Sequence, residues 1–522
     1  MLDFNWKKMK KYKYIAVLAV SIQLFSACNK DFLEVKPKGI DLESSYYKNQ
    51  SEAFNGLVAV YDVVGWQGGN LVTKEGVAMA ASDDHFGGGE GSGDLNFVNM
   101  DNFTITPEQG PHEDLWKKGF SGVFRANILL QKLPDVPMDE GLKARYTAEA
   151  KALRAFFYFD LIRFFKNIPL YTTNITTAEM LNVVQANPAD VYLQIENDLK
   201  EAIAEMNLPD KVPAASEGGR FTKGTAHALL GKVYLFQKKW PEAAAEFSEV
   251  NGATPGQMNV KYGYKLVDNF GDLWKSADSY KFNSESILEV PHTSTSAGNW
   301  GAGAASTEGN IINIMAGPRG YTPITADAPG YYSGWSYFPV TKSLFDAIHF
   351  DPRYKYTIAN LDSLKANGIA NYNDTQGAQN TGYFIEKFVA KNENLPTGAG
   401  DRDLNWPQNM YDIRLADTYL MEAEALVMGG GDITRAGNLL NAVRARVGLG
   451  PLAATMENIK RERRLELAGE GQRWFDLIRW GDAPAILGPS GFVAGKHEIL
   501  PIPLLEMSNT KIEQSKEWGG TK

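Results

Sequence analysis

The chain has 522 residues, with 53 Lys and Arg against 62 Asp and Glu, a formal net charge of −9. No basic excess exists to pair with phosphates, which argues against a nucleic-acid binder. One cysteine, Cys28, rules out an intramolecular disulfide, and histidines scattered at 85, 112, 227, 292, 349 and 497 offer no His/Cys metal cage.

The N-terminus reads as an export signal. Lys7-Lys-Met-Lys-Lys-Tyr-Lys13 precedes a short apolar run, Ile15 to Val20 with Ile22, Leu24 and Phe25, too short to span a bilayer as a helix. It ends Leu24-Phe25-Ser26-Ala27-Cys28, with small residues just before the cysteine, and so resembles a bacterial lipobox. Phe25 departs from the usual aliphatic residue. The expectation is a signal peptide over 1–27, a lipidated Cys28 with a tether to residue 45, and a body over 46–522. The alternative is an ordinary signal whose cysteine is incidental. Residues 1–27 carry five Lys and one Asp, or +4, so the mature chain would have 495 residues at −9 − 4 = −13. No other run of about 18 apolar residues occurs, which leaves lipid as the membrane attachment.

The body is predicted to be mainly α. Leu142, Tyr146, Ala150, Leu153, Phe157, Leu161 and Phe164 step by 4, 4, 3, 4, 4, 3, and Pro169 stops the run. Val191, Ile195, Leu199, Ala202 and Met206 form a second stripe behind the N-cap and first-turn pair Asn187-Pro188. Leu415, Tyr419, Ala423 and Leu426 form a third. Gly429-Gly-Gly431 ends it, and Asp432 caps a further helix carrying Ala436, Leu439, Leu440 and Val443.

Some of these helices pair in the manner of tetratricopeptide (TPR) hairpins. Leu230, Gly231, Tyr234, Ala243 and Phe247 have the small/large spacing of that repeat. Residues 415–447 repeat it loosely, and Trp116–Leu133 with Leu142–Phe165 make a further pair. The hairpins are placed mainly within 112–250 and 411–447. A stack of this kind leaves an extended surface for a partner.

Two glycine-rich excursions interrupt the helices. Residues 65–110 hold ten Gly, around Asp83-Asp84-His85-Phe86-Gly-Gly-Gly89. Residues 293–338 hold eight Gly, seven aromatics and only three charges. Loops this long in a compact protein are functional or disordered, and aromatic density argues against disorder.

Few constellations could carry chemistry. There is no phosphate loop, no G-x-S-x-G elbow and no H-E-x-x-H, and no cofactor or metal is expected, with calcium on the loop around Asp83 and Asp84 as an alternative whose spacing does not match an EF-hand. Asp83 and Asp84, with Glu90 and Asp94, could supply a glycosidase carboxylate pair, set against a plain solvated loop. The charged run 457–482, with Glu462, Arg463, Arg464, Glu466, Glu470, Arg473, Asp476 and Arg479, is either an anion site or, as we favour, a structural ion-pair network. The aromatics are the better lead, because an electron-rich ring face stacks on the C–H face of a sugar. The candidates are Trp300, Tyr321, Tyr331, Tyr332 and Trp335, with Trp66 and Phe86 from the first excursion. For each, the alternative is a mini-core that anchors the loop.

The whole mature chain resembles the SusD/RagB family of outer-membrane lipoproteins of Gram-negative bacteria. The matching stretches run in order: Asp31–Gly39, Leu115–Asn127, Ala148–Leu170, Asp268-Asn-Phe270 with Glu285–Glu289, and Asp351-Pro-Arg353. Then come Arg414–Glu424 leading to Val443–Arg446, Glu462–Gly481, and Leu500-Pro-Ile-Pro503. The resemblance implies a SusD-like fold with about four TPR hairpins and a loop-rich half carrying the ligand site. It also implies a non-catalytic cell-surface glycan binder that delivers nutrient to a SusC-type TonB-dependent transporter. The family's ligand residues sit on variable loops, so none carries over by motif. Gly334-Trp335 just precedes a family-typical Pro339–Leu344 helix start, which favours a structural Trp335. The competing readings are a surface glycoside hydrolase using Asp83/Asp84, and a TPR lipoprotein that binds peptides or acts as an adaptor.

Overall fold

The computed structural model describes residues 46–66, 71–90, 95–300, 308–508 and 510–522. Cys28, the signal peptide and the tether lie outside them. Among the described residues no helix is long and apolar enough to cross a membrane.

The helical half forms where the periodic stripes predict it. The longer helices are α1 (Gln50–Gly65), α2 (Lys74–Ala80), α3 (Leu95–Asp101), α4 (His112–Lys132), α5 (Glu140–Phe165), α6 (Pro188–Ala204), α7 (Lys223–Phe236), α8 (Trp240–Asn251), α9 (Lys342–Ile348), α10 (Leu415–Met428), α11 (Ile433–Arg446), α12 (Met456–Glu466) and α13 (Arg473–Trp480). Local chemistry sets their starts. Asp139, Asn187, Thr222 and Asp432 each accept a first-turn backbone N–H with the side chain.

Packing runs from helix to helix: α1 on α4, α4 on α5, α5 on α6, α6 on α7, α7 on α8, α8 on α10, and α10 on α11. The three pairs anticipated from sequence, α4/α5, α7/α8 and α10/α11, are therefore hairpins, and α6 joins the first to the second. Small residues let the axes approach. A Cβ on Gly122 of α4 would collide with the ring of Phe157 on α5, and one on Gly231 of α7 would stand 2.8 Å from that of Phe247 on α8. The spacing noticed in the sequence is thus a steric fit between one glycine and one ring.

Two expectations need correction. Residues 65–110 are not one irregular excursion, because they contain α2 and α3. Thr73 caps α2, and Gly76–Ala80 are all buried, so a helix hidden on every side shows no polar face to mark its period. The hairpin placed from 411 begins at Leu415. Met410–Arg414 is instead a strand (β2), antiparallel to Ser286–Val290 (β1), with Ser286 opposite Arg414 and Val290 opposite Met410.

The charged run 457–482 lies beneath that strand pair as a buried ion-pair network. Arg414 reaches Glu285 at 2.9 Å, Glu466 at 2.6 Å and Glu470 at 2.7 Å. Arg353 holds Glu462 at 2.6 Å and Glu466 at 2.9 Å, and Arg446 holds Glu285 at 2.7 Å as well as Glu466. Arg463 bridges Asp417 and Asp476, and Lys387 meets Glu470 at 2.7 Å. Burial opposes ionisation of Glu466, yet Arg446, Arg414 and Arg353 outweigh it and hold the carboxyl well below its ordinary 4.5. Burial lowers the Lys387 ammonium to about 8, with Glu470 pulling the other way. These arginines are spent on carboxylates of the same chain, which is the structural arrangement rather than an anion site.

Candidate functional site

The two excursions, far apart in sequence, meet along one seam. His85 pairs with Val340 and Gly88 with Tyr337 in antiparallel bridges. The N–H of Phe86 donates to Pro339 O at 3.0 Å, and that of Gly89 to Ser336 O at 2.9 Å. Beyond the seam, Arg319 donates to Glu90 at 3.1 Å and to the carbonyl of Trp335 at 3.0 Å, tying the first excursion to the aromatic one.

Two of the seven aromatic candidates pair, and a third, Tyr332, is held by the same 401–406 segment that holds Trp300. Trp300 is 55 % exposed, and its ring centroid lies 5.9 Å from that of Trp335, with 33° between planes. Trp335 and Tyr332 are half-buried. Tyr332 packs on the fully buried Trp406 at 5.3 Å, and its hydroxyl accepts a long 3.4 Å contact from Arg402. The supporting backbone is fastened: Tyr332 N–H donates to Ala390 O at 2.7 Å, Gly334 to Pro318 O at 2.8 Å and Trp335 to Ile314 O at 2.9 Å. Gly334 is required there, since a Cβ would stand 2.5 Å from Gly317 Cα. The result is an indole pair on a rigid shelf beside a phenol, suited to stacking against a flat, apolar ligand face.

The other four candidates lie elsewhere. Tyr321 and Tyr331 are each 8 % exposed and form a small core with Ala359, Leu361, Ala370, Tyr372, Phe384 and Val389. The Tyr331 hydroxyl donates to Glu386, and burial together with that carboxylate raises it well above its ordinary value. Both rings therefore lie in a packed core rather than on the open surface. Trp66 sits at the end of α1. Its indole N–H donates to Asp62 at 2.9 Å, and the Arg125 guanidinium lies 4.6 Å over its ring. Phe86 is half-buried in the seam. Trp335, which sequence placed on the structural side, has its main chain in the shelf and its ring beside Trp300.

The carboxylates named for a hydrolase are committed to arginines. Asp83 takes Arg473 at 2.7 Å and 3.0 Å and Arg464 at 3.1 Å, and Asp84 takes Arg464 at 2.7 Å. Burial alone would raise Asp83, but Arg473 and Arg464 lower it below its ordinary 3.8. It stays ionised at neutral pH, whereas a general acid needs a raised pKa. Among the described residues no group of three His, Cys, Asp or Glu is placed to hold a metal ion.

Sequence reading missed Asp401, Arg402 and Trp406, all in 397–406. The available signal was the turn-rich Thr397-Gly-Ala-Gly400, outside both excursions.

Comparison with known proteins gives this geometry a context. Residues 31–235 match a family model described as starch-binding and associating with the outer membrane, and residues 284–518 match that of the SusD family. A solved laminarin-binding SusD-like protein is 50 % identical, covers 90 % of this chain and 99 % of its own, and superposes with a TM-score of 0.85. Surface glycan-binding protein A from Bacteroides thetaiotaomicron, solved in complex with laminarihexaose, is 27 % identical over 88 % of this chain and 97 % of its own, with a TM-score of 0.76. A SusD-like protein of Formosa agariphila is 25 % identical over 97 % of this chain and 99 % of its own length. A helix-rich body in these proportions, matched along nearly its whole length, makes the chain a member of the SusD family.

Proposed function

We propose that this protein is a cell-surface glycan-binding protein that captures a laminarin-type β-glucan on Trp300, Tyr332 and Trp335. The observation that carries the reading is the paired indoles: a large, exposed Trp300 fixed beside Trp335. Likeness to the laminarin-binding SusD-like protein, at 50 % identity, supports the choice of glycan. The arginine-bound state of Asp83 and Asp84 supports binding without turnover. Isothermal titration with laminarihexaose tests the reading. Replacing a stacking residue by Ala costs about 1–3 kcal/mol by analogy with base stacking, or about fivefold to 150-fold in affinity. Normal binding by Trp300→Ala, Tyr332→Ala and Trp335→Ala would put the site elsewhere, with Trp66 and Phe86 next in line.

Delivery to a SusC-type TonB-dependent transporter, from a lipid anchor on Cys28 in the outer membrane facing the cell exterior, completes the proposal, with the helical hairpins acting as a TPR-type stack. Lipidation puts the chain on a membrane but gives no route across one, so a separate pore is needed. A groove of about 310 Å³ opens on the helical half between Phe120, Phe124, Tyr171, Ile175 and Met180. Phe124 and Met180 are exposed apolar residues in its lining, and exposed Leu181 and Leu505 adjoin lining residues in the chain. Such a surface suits a protein partner. A C-terminal affinity tag should recover a large barrel protein in comparable amount from native membranes, and recovery of the chain alone would sink this part. Cys28→Ala should fold normally and leave the membrane fraction.

A further inference from the structure

The segment 397–406 runs alongside 294–300 as a short ladder. Gly398 N–H donates to Ser294 O at 2.9 Å, Gly400 to Ser296 O at 3.3 Å and Asp401 to Gly298 O at 2.8 Å. The acceptors advance two residues at a time while the donors step by two and then one, so the two segments run side by side without forming a regular strand pair. Past Asp401 the main chain of 397–406 turns away into a 3-10 turn, Arg402–Leu404. At Trp300 the direction of donation reverses and a side chain is the acceptor: the N–H of Trp300 donates to Asp401 Oδ2 at 2.8 Å. Asn405 Nδ2 ties the corner by donating to Gly298 O at 3.1 Å and to Asp401 O at 2.7 Å.

Asp401 is also the N-cap residue of that 3-10 turn, yet its side chain makes no capping bond. An aspartate at such a position ordinarily uses its carboxylate on the first-turn N–H groups of its own helix. Here it is turned across to the neighbouring loop, onto the backbone of the most exposed aromatic of the shelf. The adjacent Arg402 reaches the Tyr332 hydroxyl, so one dipeptide touches two of the three shelf aromatics.

We propose that Asp401 is the positioning residue for Trp300, holding its backbone so that the indole stands beside Trp335 before the glycan arrives. The inference rests on Trp300 contacting glycan. A charged acceptor on a backbone N–H restrains an otherwise exposed residue, and restraint before binding removes an ordering cost from it.

The test is calorimetric titration of the full chain with laminarihexaose, with thermal melts alongside. Asp401→Ala should weaken binding about tenfold, the loss expected of one charge-assisted hydrogen bond, at unchanged melting temperature. Asp401→Asn keeps an acceptor oxygen and should stay within about threefold of the parent. In a double-mutant cycle, Asp401→Ala should add nothing to Trp300→Ala. Parent-like binding by Asp401→Ala while Trp300→Ala is weakened would overturn the positioning role and leave the site standing. Parent-like binding by Trp300→Ala would remove the site itself. Additive losses would make Asp401 a direct ligand contact, a lowered melting temperature would make it a structural residue, and an Asn variant as weak as the Ala variant would show that the accepting oxygen is not what matters. Each of these three overturns the proposal.

Discussion

The buried charge network under β2 and the aromatic shelf around Trp300 solve opposite problems. The network takes strongly hydrated groups out of water and must repay that cost with near-complete pairing, so Arg414 alone engages three carboxylates. The shelf keeps a large apolar ring in water and must repay that with a rigid backbone, so Gly334, Ala390 and Asp401 hold it from several sides. The difference separates stability from binding: charge removed from the first region costs the fold, and a ring removed from the second costs the ligand.

The sharpest way to break that separation is at Arg414. Arg414→Ala takes one of their buried partners from each of Glu285, Glu466 and Glu470, leaving Arg446, Arg353 and Lys387 to hold them, and should cost about 3 kcal/mol, read as a fall in denaturant midpoint. Loss of glycan binding in a variant that stays fully folded would contradict the partition.

Acid probes the same region. Glu466, Asp417 and Asp476 all have folded pKa values below their ordinary 4.5, 3.8 and 3.8, the arginines outweighing burial in each. For a carboxyl depressed on folding, the stabilisation is complete above the unfolded pKa and is lost as pH falls through the window below it. Stability should therefore hold down to about pH 5 and drop steeply below about 4.5. Laminarihexaose affinity between pH 5 and 8 should stay flat, since stacking of a sugar on ring faces needs no charged group. A binding step within that range would tie the ligand to a charged group.

A smaller effect is expected at Trp300. Trp300→Ala should weaken laminarihexaose binding by about tenfold with little change in melting temperature. A fall in melting temperature comparable to that of Arg414→Ala would place Trp300 in the core instead.

The least effect is expected at Tyr331, a candidate the structure moved from the second region into a core. Tyr331→Phe keeps the ring but removes its bond to Glu386. It should cost about 1 kcal/mol or slightly more in stability and leave binding unchanged. Weakened binding there would return Tyr331 to the ligand site.

Much was legible in the sequence because it is written locally. The stripes of α5, α6, α10 and α11, their caps, and the Gly231–Phe247 fit each involve residues within a turn or a hairpin of one another. The charged run 457–482 pointed to a network because interleaved Arg and carboxylates form bidentate pairs. Its members Glu285, Arg353, Lys387 and Arg414 lie outside the run and could not be assigned to it from spacing.

The binding shelf was legible only as a set. Seven aromatics on low-charge loops marked the region, but nothing in Tyr331-Tyr332 says that the first ring turns inward to Phe384 and the second outward to Arg402. That choice depends on which distant segment each loop meets. The same holds for α2, whose burial on every side erased its periodicity, and for Asp401, which reaches Trp300 across 101 positions of chain. The sequence by itself determined the hairpin helices and their pairing, because periodicity, caps and small–large contacts are short-range, and its ordered motifs carried the family resemblance. Only the tertiary structure decided which rings face water, because exposure on a loop is set by its neighbours in space.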